Sequence, residues 1–287
     1  MTQVNRKWGL ALGAGGLHGI AHIGVLRAFA EAGLRPDLVA GTSAGAIAAG
    51  LYVAGVPLDQ AAETISSMAA PQMLDFAGGL RSMVPGVILT RTGVIQGDLI
   101  ENALERLTGG RTLAQAQPPV AIEAVDIETG ELVVMSSFVP KGPPPLPRTV
   151  FLTDVRLSQA IRASMSVPGV FVPKELAGRT LVDGGVRDMV PVAVVKAMGA
   201  EVVVGVDILT GQEQRVEVNT FPEVIMRAIA LLERETVRDR LASLADAVIA
   251  PVLPPLTSFD REAIARHIRL GEEAARAQVP RIRRLLE

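Results

Sequence analysis

Two glycine-rich turns, each set between a short apolar run and a helical pattern, limit the fold of this chain more than any other feature. Trp8 to Leu12 is apolar, Gly13 to Gly19 is rich in glycine, and Ile20 to Ala32 shows helical spacing through Ile23, Leu26 and Ala30 before Gly33 stops it. The unit then repeats. Leu38 to Ala40 reads as a strand, Gly41 to Gly45 as a turn, and Ala46 to Ala54 as a helix ended by Gly55 and Pro57. Further on, Val120 to Val125, Leu132 to Met135, Thr180 to Val182 and Glu201 to Val206 are rich in Val, Ile and Leu, as buried strands are. Helical patterns fall between them at Leu99 to Leu107, Leu157 to Ala163 and Pro191 to Met198. This alternation predicts an α/β fold of three layers, a mostly parallel sheet with helices on both faces.

Length and composition fit that class. With 287 residues, 49% of them apolar, the chain can bury a substantial core. No cysteine is present, which removes disulfides, thiolate ligands and a cysteine nucleophile. A net charge of −2 with scattered Lys and Arg, and only 3% aromatic residues, argues against nucleic acid as a partner. Leu38 to Leu58 is uncharged and approaches the length of a membrane span, but its glycines suit a buried strand, turn and helix better. Met1 to Lys7 is short and polar, so we expect no signal peptide and a protein that is cytoplasmic or peripheral to the membrane.

Three stretches look peripheral. Ser66 to Gly97 is rich in Gly, Met and Pro and would suit a flap over a site. Lys141 to Arg148 is a stiff proline loop. After Pro251 to Pro255, the segment Asp260 to Leu286 has helical spacing with many arginines, and it would pack on the core rather than lie against a membrane. The expected division is therefore a catalytic domain over 1–250 and a helical extension over 251–287.

The chemistry concentrates in the turns. Gly41-Thr42-Ser43-Ala44-Gly45 is a G-x-S-x-G sequence between strand and helix, the context in which it forms a nucleophile elbow. The pentapeptide alone fits a plain glycine-rich turn equally well. The earlier loop, Gly13-Ala14-Gly15-Gly16-Leu17-His18-Gly19, can aim backbone N–H groups at an oxyanion. A dinucleotide fingerprint starting at Gly13 would need Gly or Ala at 18, where His18 stands, and no Gly-Lys-Ser/Thr follows for a P-loop. No cofactor and no metal is called for. A serine nucleophile needs a base. Of His18, His22 and His267, only His267 falls late enough for a Ser-Asp-His order, and it lies in an Arg- and Ala-rich helical stretch. A carboxylate acting directly asks less of the sequence. Asp126, Asp154, Asp183 and Asp207 lie near strand ends, and Asp183 comes first because Gly184 and Gly185 permit close backbone approach; acidic residues at strand ends also serve simply as turn or cap residues.

Gly9 to Leu26, the block Gly-Thr-Ser-Ala-Gly at 41–45, and Asp183-Gly184-Gly185 together resemble the three signature blocks of bacterial patatin-like phospholipases. Val125 to Gly130, Ala160 to Ser164 and Pro168 to Pro173 are similar to family segments too, so the resemblance runs from about Trp8 to Asp207. It implies a Ser43–Asp183 dyad that hydrolyses acyl esters of lipids through an acyl-enzyme without a metal. The N–H groups of Ala14, Gly15 and Gly16 would hold the oxyanion, with Gly13, Gly19, Gly41, Gly45, Gly184 and Gly185 supporting the turns. The implied partner is a lipid or simpler ester, with peripheral membrane contact allowed. The alternative is a lipid-binding regulatory or scaffold protein with feeble catalysis. Two departures stand out. Ala14 replaces a usual glycine, and His18 replaces a usual Arg or Lys, so His18 is a candidate modulator of headgroup preference and pH response.

Overall fold

The computed structural model describes residues 6–68, 92–209, 221–256 and 260–287. Nine strands form one sheet: β1 (Trp8–Leu12), β2 (Leu38–Thr42), β3 (Val120–Asp126), β4 (Leu132–Ser136), β5 (Thr149–Leu152), β6 (Lys174–Leu176), β7 (Arg179–Asp183), β8 (Val202–Val206) and β9 (Ala247–Ile249). Along its main path the order is β5-β4-β3-β2-β1-β8-β9. Strands β3, β2, β1, β8 and β9 run parallel, whereas β4 and β7 are antiparallel to β3. The eight α-helices are α1 (Ala21–Glu31), α2 (Ala44–Val53), α3 (Leu58–Met68), α4 (Asp98–Thr108), α5 (Leu157–Ser164), α6 (Val192–Ala197), α7 (Phe221–Leu244) and α8 (Arg261–Leu286) among the described residues.

Alternation along the central strands builds two cores. Leu10 and Leu12, Val39, Ile122 and Ala124, and Val202, Val204 and Val206 point to one face, where Ile23, Leu26, Leu51 and Ile161 of α1, α2 and α5 meet them. Ala11, Leu38 and Ala40, Ala121, and Val203 point to the other, against Val194 and Val195 of α6 and Val237 and Leu241 of α7. Both faces of the central strands are thereby covered, which accounts for their nearly continuous apolar sequences. The fold is the three-layer α/β arrangement expected. Strands β5, β6 and β9 and helices α3 and α7 are additions to that expectation. Most of the proposed flap, residues 69–91, lies outside the described residues. No described helix is long and apolar enough to cross a membrane.

Helix α8 lies against α1 through a seam of glycines. A Cβ placed on Gly24 would overlap the Ile268 carbonyl oxygen, and one placed on Gly271 would overlap that of Ala21. Because the obstacles are backbone atoms, no rotamer change relieves them. We therefore expect Gly24→Ala to destabilise the protein by about 1–3 kcal/mol, read as a fall in Tm of roughly 2–10 °C in a thermal melt followed by circular dichroism. An unchanged Tm would show that the seam is looser than the packing indicates.

Candidate active site

Strand β3 brings the site together. It has two edges, and β4 occupies one of them along Ala121 to Val125. The other edge is divided. Its first half carries β2, with Thr42 opposite Glu123, and its second half carries β7, with Asp183 opposite Ala124. The last residues of β2 and β7 thus dock on consecutive positions of one strand while approaching from opposite directions. Gly184 allows this closeness, since a Cβ there would stand 2.6 Å from the Glu123 carbonyl oxygen. Below the junction, the Thr42 hydroxyl donates to Glu123 Oε2 at 2.8 Å.

Ser43 leaves β2 with φ 54° and ψ −119° and becomes the N-cap of α2. Positive φ is costly for a residue with a Cβ, on the order of 1–3 kcal/mol, and persists only where the surroundings enforce it. Here they do. A Cβ on Gly45 would overlap the Leu12 carbonyl oxygen, and one on Gly41 would stand 2.6 Å from that of Gly45, so only glycine lets the turn close. The Ser43 N–H donates to Ser164 Oγ at 2.9 Å, which fastens the elbow to the C-terminal end of α5. The side chain then projects to Asp183, and its hydroxyl donates to Oδ2 at 2.6 Å.

Asp183 is held as firmly. Its N–H donates to the Ser166 carbonyl at 2.9 Å, and Oδ1 accepts from the Gly185 N–H at 2.8 Å. Burial raises its pKa from 3.8 to about 6, against the opposing pull of the bonds from Ser43 and Gly185. A buried carboxylate with a short bond from a serine hydroxyl is an arrangement that can, chemically, serve as a base beside a nucleophile.

The Gly13–Gly19 turn runs beside the elbow, and Gly19 packs against Ala44 so tightly that a Cβ would overlap it. Peptide planarity allows its donors to be sorted. The peptide between Gly13 and Ala14 is clamped at both ends: the Gly13 carbonyl meets His22 Nε2 at 2.8 Å, and the Ala14 N–H donates to the Met189 carbonyl at 2.7 Å. The Ala14 N–H is therefore engaged with Met189 in this structure. The N–H groups of Gly15 and Gly16 have no partner among the described residues. Gly16 takes φ 51°, the conformation glycine accepts without strain.

A model of the family described as patatin-like phospholipase matches residues 10–196. The chain belongs to the patatin-like phospholipase family. It is 31% identical over 227 residues to an uncharacterized NTE family protein of Mycobacterium tuberculosis, a match covering 79% of this chain and 56% of that one. It is 28% identical over 217 residues to patatin-like phospholipase domain-containing protein 6 of Homo sapiens, covering 74% of this chain and 14% of that protein. The chain thus spans about half of the mycobacterial relative and a small part of the human one. Among solved structures, VipD from Legionella pneumophila superposes with a TM-score of 0.56 at 17% identity, over 96% of this chain and 67% of that one, which is a likeness of fold.

The other candidate carboxylates are not at the elbow. Asp126 pairs with Arg179 at 2.8 Å, Asp207 accepts from the Leu209 N–H at 3.1 Å, and Asp154 is exposed. Each histidine is also committed away from Ser43: His22 to Gly13, and His18 to His267 at 3.2 Å. His22 must carry its hydrogen on Nε2, because a carbonyl only accepts, and burial lowers its pKa to about 4. Among the described residues no group of three or more His, Asp or Glu is arranged to hold a metal. The positioning roles of Ser164 and His22 went unread in the sequence. Nothing local in the sequence reveals that Ser164 holds the elbow and His22 the Gly13 peptide.

The raised pKa of Asp183 has a signature in stability. A carboxyl whose folded pKa lies above its unfolded value loses stability as pH rises between the two, here from about 4 to about 6. Asp183→Asn removes that penalty. We expect the variant to gain roughly 1–3 kcal/mol over wild type at pH 8 and nothing below pH 4, measured by urea unfolding at both values. Equal gains at both pH values would contradict the assignment.

Proposed function

We propose that the protein is a lipid acyl hydrolase of the phospholipase A, lysophospholipase or carboxylesterase type, working through a Ser43–Asp183 dyad. The observation that carries this reading is the 2.6 Å bond from the Ser43 hydroxyl to Asp183 at a strained strand-to-helix turn, with all three histidines bonded elsewhere. Membership of the patatin-like phospholipase family supports the same reaction class. Ser43 Oγ attacks the ester carbonyl carbon as its proton passes to Asp183 Oδ2. The N–H groups of Gly15 and Gly16 face the oxyanion of the tetrahedral intermediate. Collapse breaks the ester C–O bond, and the leaving alkoxide takes the proton from Asp183. Water then attacks the acyl-enzyme, giving its proton to Asp183, and the acid departs as Ser43 regains its hydrogen. The substrate is a lipid or a simpler ester, approached by a protein in peripheral contact with membranes.

The test is labelling by a fluorophosphonate probe, located by mass spectrometry, with hydrolysis of short p-nitrophenyl esters and of phospholipid vesicles. We expect label on Ser43 and a fall in kcat of at least about 10³ in both Ser43→Ala and Asp183→Asn. Absence of label and turnover on every substrate would overturn the hydrolase reading and leave the lipid-binding scaffold.

The pH profile is a second test. Asp183 acts as a base only when ionised, so kcat/KM should rise with pH through a midpoint near 6 and level off above it. A flat profile from pH 5 to 8 would exclude Asp183 as the titrating base.

A further inference from the structure

The C-terminal helix α8 lies outside the region that matches the family model, which ends at residue 196. It nevertheless reaches the Gly13–Gly19 turn through one side chain. His267, buried on α8, places Nε2 3.2 Å from His18 Nδ1, with the two rings tilted at 31° and their centroids 5.3 Å apart. We infer that the His18–His267 contact is a latch by which α8 sets the aim of the oxyanion donors, making His18 and His267 positioning residues for hydrolysis. This rests on the reading of the function given above.

Three observations lead there. The first is the proton inventory of the pair. His267 Nδ1 lies 2.9 Å from the Ala263 carbonyl, so it carries a hydrogen. Its Nε2 faces the Pro254 carbonyl at 3.1 Å as well as His18. Either His267 holds a second hydrogen on Nε2, as a cation, shared between that carbonyl and the lone pair of His18 Nδ1, or His18 donates its own to a bare Nε2. A single hydrogen joins the rings in both arrangements. Burial, and secondarily the nearness of His267, hold the pKa of His18 down to about 4, so His18 is neutral at pH 7.

The second is the path from His18 to the donors. The His18 N–H donates to the Gly15 carbonyl at 3.1 Å. That carbonyl and the Gly16 N–H belong to the same planar peptide, so fixing one fixes the direction of the other. Upstream, the Gly13–Ala14 peptide is already clamped by His22 and Met189. The two free N–H groups thus lie between two clamps, and His18 supplies the downstream one. Without its hold on α8, the peptide that carries the Gly16 N–H is free to turn.

The third is the rigidity of the support. The glycine seam at Gly24 and Gly271 brings α8 against α1 backbone to backbone, with Gly271 one turn beyond His267. The contact is therefore made from a helix that cannot slide. The exposed pair Arg276–Glu31 also joins α8 to α1, at 2.6 Å, but lies further along the helix.

The test compares His18→Ala, His267→Ala, the double variant and Arg276→Ala by steady-state hydrolysis of a p-nitrophenyl ester, with a thermal melt of each. If the latch aims the donors, each single histidine variant loses about tenfold in kcat, part of the effect of deleting a donor. KM should stay within about twofold, because the oxyanion exists only beyond the ground state. The double variant should be no slower than either single one, since each removes the same contact. Arg276→Ala should keep wild-type kcat. Unchanged kcat in His18→Ala, multiplied losses in the double variant, or an equal loss in Arg276→Ala would each overturn the latch. Should His267→Ala fail to fold, His18→Ala decides alone, because it alters a half-exposed turn rather than the helix seam. A wild type inactive on every ester would instead count against the hydrolase reading.

Discussion

Everything at the site depends on β3 offering a single edge to two strands that arrive head to head. β2 and β7 are separated in sequence by much of the chain, yet Thr42 and Asp183 register with Glu123 and Ala124, adjacent residues of one strand. Backbone hydrogen bonding therefore sets the approach of Ser43 and Asp183 before any side chain does so. The 2.6 Å bond between them is a consequence of strand register. A slip of one residue in either pairing would send the side chain to the other face of the sheet. The two-sided core prevents such a slip, because it would also turn the alternating apolar residues of β2 or β7 away from their layers.

Underneath this junction lies a second buried carboxyl. Glu123 accepts from Thr42, and burial raises its pKa well above the usual carboxylate range, with neighbouring Asp188 adding to the shift. Asp188 is raised as well, by burial, although Arg240 of α7 meets it at 3.1 Å. Two carboxyls held close in a dry interior do not both ionise readily.

How much could be read in advance follows from how local each determinant is. The elbow was legible because sharp turns demand particular residues at particular offsets, and Gly41, Gly45 and Gly184 now prove to be places where a Cβ collides with backbone. The central strands were legible because burial on both faces writes itself as continuous Val, Ile and Leu. Half-buried β5 and three-residue β6 and β9 leave no such trace. The Gly13–Gly19 turn was legible as a turn but not in its wiring. The engagement of the Ala14 N–H depends on the Met189 carbonyl, which a distant loop delivers, and no pattern near residue 14 announces it. His267 failed as a triad member for the same reason. Its position in sequence suited the order Ser-Asp-His, while the seam between α1 and α8 turns it toward His18 instead.

A serine at positive φ and a desolvated aspartate both oppose folding, and their joint presence needs a cause beyond tolerance. On the proposed reading the two costs are one arrangement. In a triad, a histidine is oriented by a carboxylate and acts near neutral pH by its own nature. With each histidine here bonded elsewhere, that reading makes the carboxylate itself the base, and in water an aspartate is too weak a base for that role. Burial raises its pKa from 3.8 to about 6, nearer to the pH at which proton transfer from serine is efficient. That burial requires the hydroxyl to reach inward to the base, and a serine in an ordinary strand or helix conformation would not meet it there. The strained elbow thus supplies a geometry that the desolvated carboxylate requires, and the bonds from the Ser43 N–H to Ser164 and from the Gly185 N–H to Asp183 are what hold each half in place.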